Sequence, residues 1–165
     1  KIHYTDYTSI KFYLNDSFSS STMNPATILS MIKAKSCVDG DISDNVVAEF
    51  RSSQDTNVSV IEASVEDSTG SKETLVLNYT YDSNNYTTDI KLDSYLVYVK
   101  KGQKFDAEKN LDSIETNSVS KSEAKSYLNI DDSQVDYDHS GVYEILYTFN
   151  YFGDYGFSKC IVVVE

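Results

Sequence analysis

Cysteine is scarce: the chain has two, Cys37 and Cys160, far apart and with no C-x-x-C spacing. That spacing excludes a zinc knuckle. The pair reads as two separate small thiols, the usual behaviour of free cysteine. Cations are also in short supply, 14 Lys and Arg against 26 Asp and Glu, for a net charge of −12. Nucleic acid is excluded as a partner on that balance, since phosphate binding needs clustered Lys and Arg, and anionic membrane surfaces are disfavoured for the same reason. No apolar run approaches the roughly 20 residues of a membrane span. Histidine occurs twice, as His3 and His139. His139 lies beside Asp136 and Asp138, but no G-x-S-x-G elbow or Cys–His signature accompanies it, so it reads as a solvated turn residue. Tryptophan is missing and proline occurs once.

What is present is tyrosine. The 165 residues include 14 Tyr, and aromatic residues make up 13% and hydrophobic residues 40% of the chain. That is enough for a packed core and argues against wholesale disorder. A chain rich in Tyr, Thr, Ser and Val suits strands, where such side chains fit a pleated, half-wet surface.

The pattern along the chain predicts an all-β fold with short helical insertions. Ile10, Phe12 and Leu14 alternate with Lys11, Tyr13 and Asn15 as a first strand. Asn24-Pro25 places a helix cap and a first-turn proline ahead of Ile28, Leu29, Met31 and Ile32. An acidic turn at 38–46 leads into a strand at 46–50. A strand at 58–65 carries Ile61, Ala63 and Val65 on one face, a turn-rich loop occupies 66–71, and Leu75 and Leu77 sit on the return. The polar stretch 82–89 lacks periodicity and reads as a boundary, dividing the chain into 1–86 and 87–165.

The second half repeats the plan. Tyr95, Val97 and Val99 alternate with Leu96, Tyr98 and Lys100, Ser120 and Glu123 have capping-box spacing, and Tyr143, Ile145, Tyr147 and Phe149 share one strand face. That odd face is the expected core face, with Ile161 and Val163 as partners after a break at 153–156 and Glu144 pointing to solvent. Ile61, Ala63 and Val65 fall on Ile145, Tyr147 and Phe149, Gly70 on Gly156, Leu75 and Leu77 on Ile161 and Val163, and Ile10 and Phe18 on Val97 and Phe105. Similarity at a spacing of about 85 residues points to a tandem of two small β-domains.

Three segments carry a resemblance: Asp39-Gly40-Asp41-Ile42-Ser43, Asp67-Ser68-Thr69-Gly70-Ser71 and Gly141-Val142-Tyr143-Glu144-Ile145-Leu146-Tyr147. Together they resemble the bacterial immunoglobulin-like repeats of Gram-positive surface and secreted proteins. The first half has Asn57 where that pattern has a turn Gly, and the second has a helix at 120–128 in place of the D-G-D-I turn. The resemblance implies two tandem Ig-like β-sandwiches in an extracellular or cell-surface, non-catalytic module, a spacer or stalk or an adhesion domain for protein or glycan. The alternative it implies is an accessory carbohydrate-binding region of a larger secreted enzyme. A monomer with no cofactor and no metal is the expectation.

Asp39, Asp41 and Asp44 offer hard oxygen ligands suited to Ca²⁺, but their spacing is not that of an EF-hand, and ordinary Asp and Gly turn chemistry accounts for them. Asp131-Asp132 and Glu66-Asp67 carry no glycosidase signal by themselves. Tyr79, Tyr81, Tyr86, Tyr151 and Tyr155 are candidates for an exposed binding surface, with strand and interdomain packing as the competing reading. The sequons at Asn15, Asn57, Asn78 and Asn85 bear only on a eukaryotic secretory host.

Overall fold

A computed structural model describes residues 10–19, 24–53, 58–79 and 85–165. Strands dominate, and the fold is all-β. In the first half β1 (Ile10–Leu14), β2 (Ile32–Ser36) and β3 (Gly40–Asp41) form one antiparallel sheet, and β4 (Val47–Ser53), β5 (Val58–Glu66) and β6 (Lys72–Asn78) form another. Between them lie Ile10, Phe12, Leu14, Ile28, Ala34, Ile42, Ile61, Ala63 and Val65, all buried. Helix α1 (Pro25–Met31) closes one side of this core against β4. Its start is the expected one: Asn24 Oδ1 accepts the Thr27 N–H at 2.9 Å and Pro25 opens the first turn.

The second half pairs β7 (Asp89–Leu92) with β9 (Leu111–Glu115), opposite a four-stranded sheet ordered β10 (Leu128–Asp131), β11 (Gly141–Tyr151), β12 (Asp154–Val164) and β8 (Leu96–Val99). The chain changes sheets between β7 and β8: β7 pairs antiparallel with β9, whereas β8 runs parallel to β12. The short helix α2 (Lys121–Ala124) packs on β9 and buries Ala124. The expected capping box is replaced by a bond between the two side chains. The Ser120 hydroxyl donates to Glu123 Oε2 at 2.9 Å and makes no bond to a helix N–H.

The odd face of β11 is the core face. Ile145, Tyr147 and Phe149 are buried, and Tyr143 packs at the margin. The partners expected for them are wrong, however. Ile145 pairs with Cys160 and Tyr147 with Ser158, while Ile161 lies opposite Glu144 and Val163 opposite Val142, on the other face. The hairpin turn is Phe152-Gly153, starting one residue before the expected break, and Gly156 is mid-strand. A Cβ on Gly156 would stand 2.8 Å from the Thr88 carbonyl oxygen, so this glycine permits a close backbone approach and is no counterpart of the turn residue Gly70. The match of Ile10 to Val97 also fails on pairing, since β1 pairs with β2 and β8 with β12.

No sheet among the described residues mixes strands of the two halves, apart from a single bridge between Phe18 and Phe157. The halves nevertheless pack closely. The outer face of β1 and β2 lies on the outer face of β11, β12 and β8, where Tyr13, Val142 and Ile161 are buried together with Leu96, Val163 and Cys37 at their margin. This is why Tyr13, expected on a wet face, is buried, and burial with the nearby Asp41 carboxylate pushes its phenol up to about 12. Both faces of β12 are covered, so Cys160 through Val162 and Val164 are buried in near-unbroken succession.

Candidate binding surface

The β11–β12 hairpin ends in a two-residue turn with both residues at positive φ, Phe152 at 43° and Gly153 at 91°. That is the twist-matched hairpin geometry, which prefers Asn, Asp or Gly. Phe152 occupies it at a steric cost of about 1–2 kcal/mol and leaves its ring 92% exposed. Nothing in the core requires a phenylalanine there. An observed backbone outlier carrying a fully exposed aromatic ring is a sound starting point for a functional reading.

Two tyrosines flank it. The Tyr151 ring stands edge-on to Phe152 at 4.9 Å and to Tyr127 at 4.8 Å. Tyr127 closes the 3₁₀ turn Lys125–Tyr127 after α2, is 40% exposed, and also packs on the buried Phe149. The three rings form a continuous aromatic edge anchored in the core at one end.

One carboxylate, immediately after the turn, holds this end of the hairpin. Asp154 accepts hydrogen bonds from the hydroxyls of Thr87, Thr88, Thr116 and Ser118. Burial acts to raise its pKa, but those four donors outweigh it and hold the group below the ordinary carboxylate range. The other face of the hairpin is tied to the first half, where Tyr155 packs on Tyr86 at 5.9 Å and Tyr86 on Phe18 at 5.4 Å.

Beside the aromatic edge runs an open groove of about 710 Å³. Its apolar floor is Phe105, Ala107, Leu111, Leu128 and Ile130, with Lys104, Lys125, Asp106, Glu108 and Asp132 on the rim. Lys125 and Leu128 bracket Tyr127 in sequence, so the 3₁₀ turn serves both the groove and the edge.

The residues singled out from sequence scatter. Of the five tyrosines, Tyr151 alone is on the aromatic edge. Tyr86 and Tyr155 pack between the halves, Tyr79 stands edge-on to Phe50 at 5.7 Å, and Tyr81 lies outside the described residues, as do His3 and Asn57. Asp39 is engaged by the Ser68 N–H and hydroxyl at 2.6 Å each, and Asp41 accepts the Ser43 N–H at 2.9 Å, so these two carboxylates are occupied by backbone and hydroxyl groups. Among the described residues, no three His, Cys, Asp or Glu side chains converge as a metal site. Asp136 Oδ2 lies 2.7 Å from His139 Nδ1 on an exposed turn. Cys37 is half-buried and Cys160 buried, and burial pushes the Cys160 thiol up to about 12. Tyr127 and Phe152 were missed. The signal for Phe152 was the Phe-Gly dipeptide between two strand-like runs, masked by the more turn-like residues that follow it.

Among the described residues, no helix is long and apolar enough to cross a membrane. No protein-family model matches the chain, and no curated protein matches it.

Proposed function

We propose that the chain is a tandem of two Ig-like β-sandwiches from an extracellular or cell-surface protein, non-catalytic, that binds a glycan or protein through the edge formed by Tyr127, Tyr151 and Phe152. The observation that carries this reading is Phe152, a strained and exposed ring at a hairpin turn that Asp154 holds from the next residue but one. Tyrosine and phenylalanine rings presented at low entropic cost suit stacking on sugars and packing into protein surfaces. The Ig-like assignment is supported by the two-layer cores and by the strand that leaves one sheet at β7 and joins the other at β8, parallel to the last strand. Of the spacer and adhesion roles, adhesion is favoured. The halves lie face against face across Tyr13, Val142 and Ile161, whereas a spacer gains reach by placing modules end to end.

The test is affinity electrophoresis of the full chain against soluble polysaccharides, with surface-plasmon measurements on immobilised extracellular-matrix proteins. Phe152→Asn, which suits the positive φ, and Tyr127→Ser serve as edge variants. Binding by the parent chain that falls at least tenfold in both variants supports the reading. Absence of binding across both panels, or binding that both variants retain, overturns it.

A further inference from the structure

The groove beside β10 has a counterpart in the first half, and there it is filled. In both halves a central strand, β5 or β11, carries on one side an outer strand, β4 or β10. In the first half the segment leading into β2 forms α1, which packs on β4 and buries Ile28 and Met31, three residues apart on one helix face. In the second half the segment leading into β9, residues 100–110, forms turns and no helix, and it buries Ala107 alone of its apolar side chains. The central strands compensate in part. Ala63 on β5 is matched by the much larger Tyr147 on β11, whose hydroxyl donates to the Ala107 carbonyl at 2.7 Å. Compensation stops at that depth. Farther out Phe105, Leu111, Leu128 and Ile130 stay only partly buried and line the open groove.

We infer that this groove is a docking site for a short amphipathic helix that presents two aliphatic side chains at i and i+3, as α1 does in the first half. The occupant is defined by what the same architecture uses to close the same place. A helix of about two turns spans roughly 10 Å, and two aliphatic side chains at this spacing suit a floor built of Leu111, Leu128 and Ile130. The rim adds a charge preference. Asp106, Glu108 and Asp132 outnumber Lys104 and Lys125, on a chain of net charge −12, so a neutral or basic helix is favoured over an acidic one. The inference does not depend on the aromatic edge: the edge is tested by its own variants, which leave the groove floor untouched.

The experiment is an NMR titration of the full-length chain, with leucine and isoleucine methyl groups labelled, using the acetylated peptide Asn-Pro-Ala-Thr-Ile-Leu-Ser-Met-Ile. This is the chain's own 24–32 segment with its cap and proline. Three further peptides complete the set: one with Ile28→Asn and Met31→Asn together, one extended by two lysines and one extended by two glutamates. The expected result is saturable shifts at Leu111, Leu128 and Ile130 at millimolar peptide, lost with the doubly substituted peptide and strengthened by lysines relative to glutamates. No saturable shift, shifts confined to the first half or to the hairpin tip, equal binding of the substituted peptide, or tighter binding of the glutamate form would each overturn it.

Discussion

Each half packs two sheets around a core of its own, and the two cores are filled differently. In the first, the central strand places Ile61, Ala63 and Val65 inward, and helix α1 supplies the bulk that Ala63 lacks, with Ile28 fully buried. In the second, Ile145, Tyr147 and Phe149 occupy the matched positions, and the wall facing them is a loop that contributes only Ala107. Core volume is shared between strand and wall in opposite proportions, as close packing demands. What the second half leaves unfilled becomes a groove, and what it adds at the hairpin tip becomes an exposed aromatic edge. The halves also differ on their outer sheet faces. That of β4–β6 is open, with Val47 and Val76 exposed, while that of β11, β12 and β8 is covered by β1 and β2.

The comparison can be broken most forcefully in the cores. Ile61→Ala and Ile145→Ala remove equally buried side chains at matched positions, and each should cost about 2–5 kcal/mol. Chemical denaturation of the two variants measures this. A value under about 1 kcal/mol for either would mean that the two strands are not equivalent. Next come the hairpin glycines. Gly156→Ala forces a methyl against the Thr88 carbonyl and should cost about 1–3 kcal/mol. Gly153→Ala has nothing within 4 Å and meets only its positive φ, so its cost should stay near 1 kcal/mol. A reversed order would show that β12 does not approach β7 as described.

The helix starts sharpen the contrast at a smaller scale. Asn24→Ala should cost about 1 kcal/mol, because Asn24 satisfies a helix N–H, while Ser120→Ala should change stability by less than about 0.5 kcal/mol, because Ser120 bonds only the Glu123 side chain. Thermal melts of both variants decide it. The smallest effects are expected from pH, where two neighbouring carboxylates act in opposite senses. Asp154 is depressed, so its contribution is complete above the ordinary value of 3.8 and is lost as pH falls below it. Asp89 is buried, its Oδ1 has no hydrogen-bond partner among the described residues, and burial raises its pKa. Its ionised form therefore opposes folding at neutral pH, and that opposition is relieved as pH falls toward 3.8. Asp89→Asn should raise the melting temperature at pH 7 and lose its advantage in acid, while Asp154→Asn should lower it at pH 7 and be neutral in acid. Melting curves from pH 3 to pH 7 that show the same sign for both would refute the assignment.

Much of the first half and the core face of β11 was legible, because one apolar face against one wet face leaves a period-two signature and Asn24-Pro25 is a strong helix start. The register of β12 was not. Its outer face is buried by the other half, so alternation vanishes across Cys160, Ile161 and Val162, and a pattern argument cannot tell which residue faces which partner. The same burial overturns the expectation that Glu144 is a surface residue. It pairs with Lys159 at 3.0 Å beneath β1, and Lys159 also donates to the Phe12 carbonyl. The junction salt bridge between Lys91 and Asp16 at 2.7 Å, and the Ile90 N–H bond to Ser17 Oγ at 3.0 Å, join residues more than 70 positions apart and leave no local trace. The aromatic edge was hidden for a different reason: Phe152 is chosen against its own turn propensity, so rules of local preference pass over it.

The central claim is that the two halves are complete only against one another. Differential scanning calorimetry of the full chain tests this directly. A single transition whose calorimetric and van't Hoff enthalpies agree is the predicted result, because separating the halves would expose Tyr13, Val142, Ile161 and Leu96 and break the Lys91–Asp16 pair. Two resolved transitions, each carrying about half the enthalpy, would contradict it and return the halves to the status of independent beads.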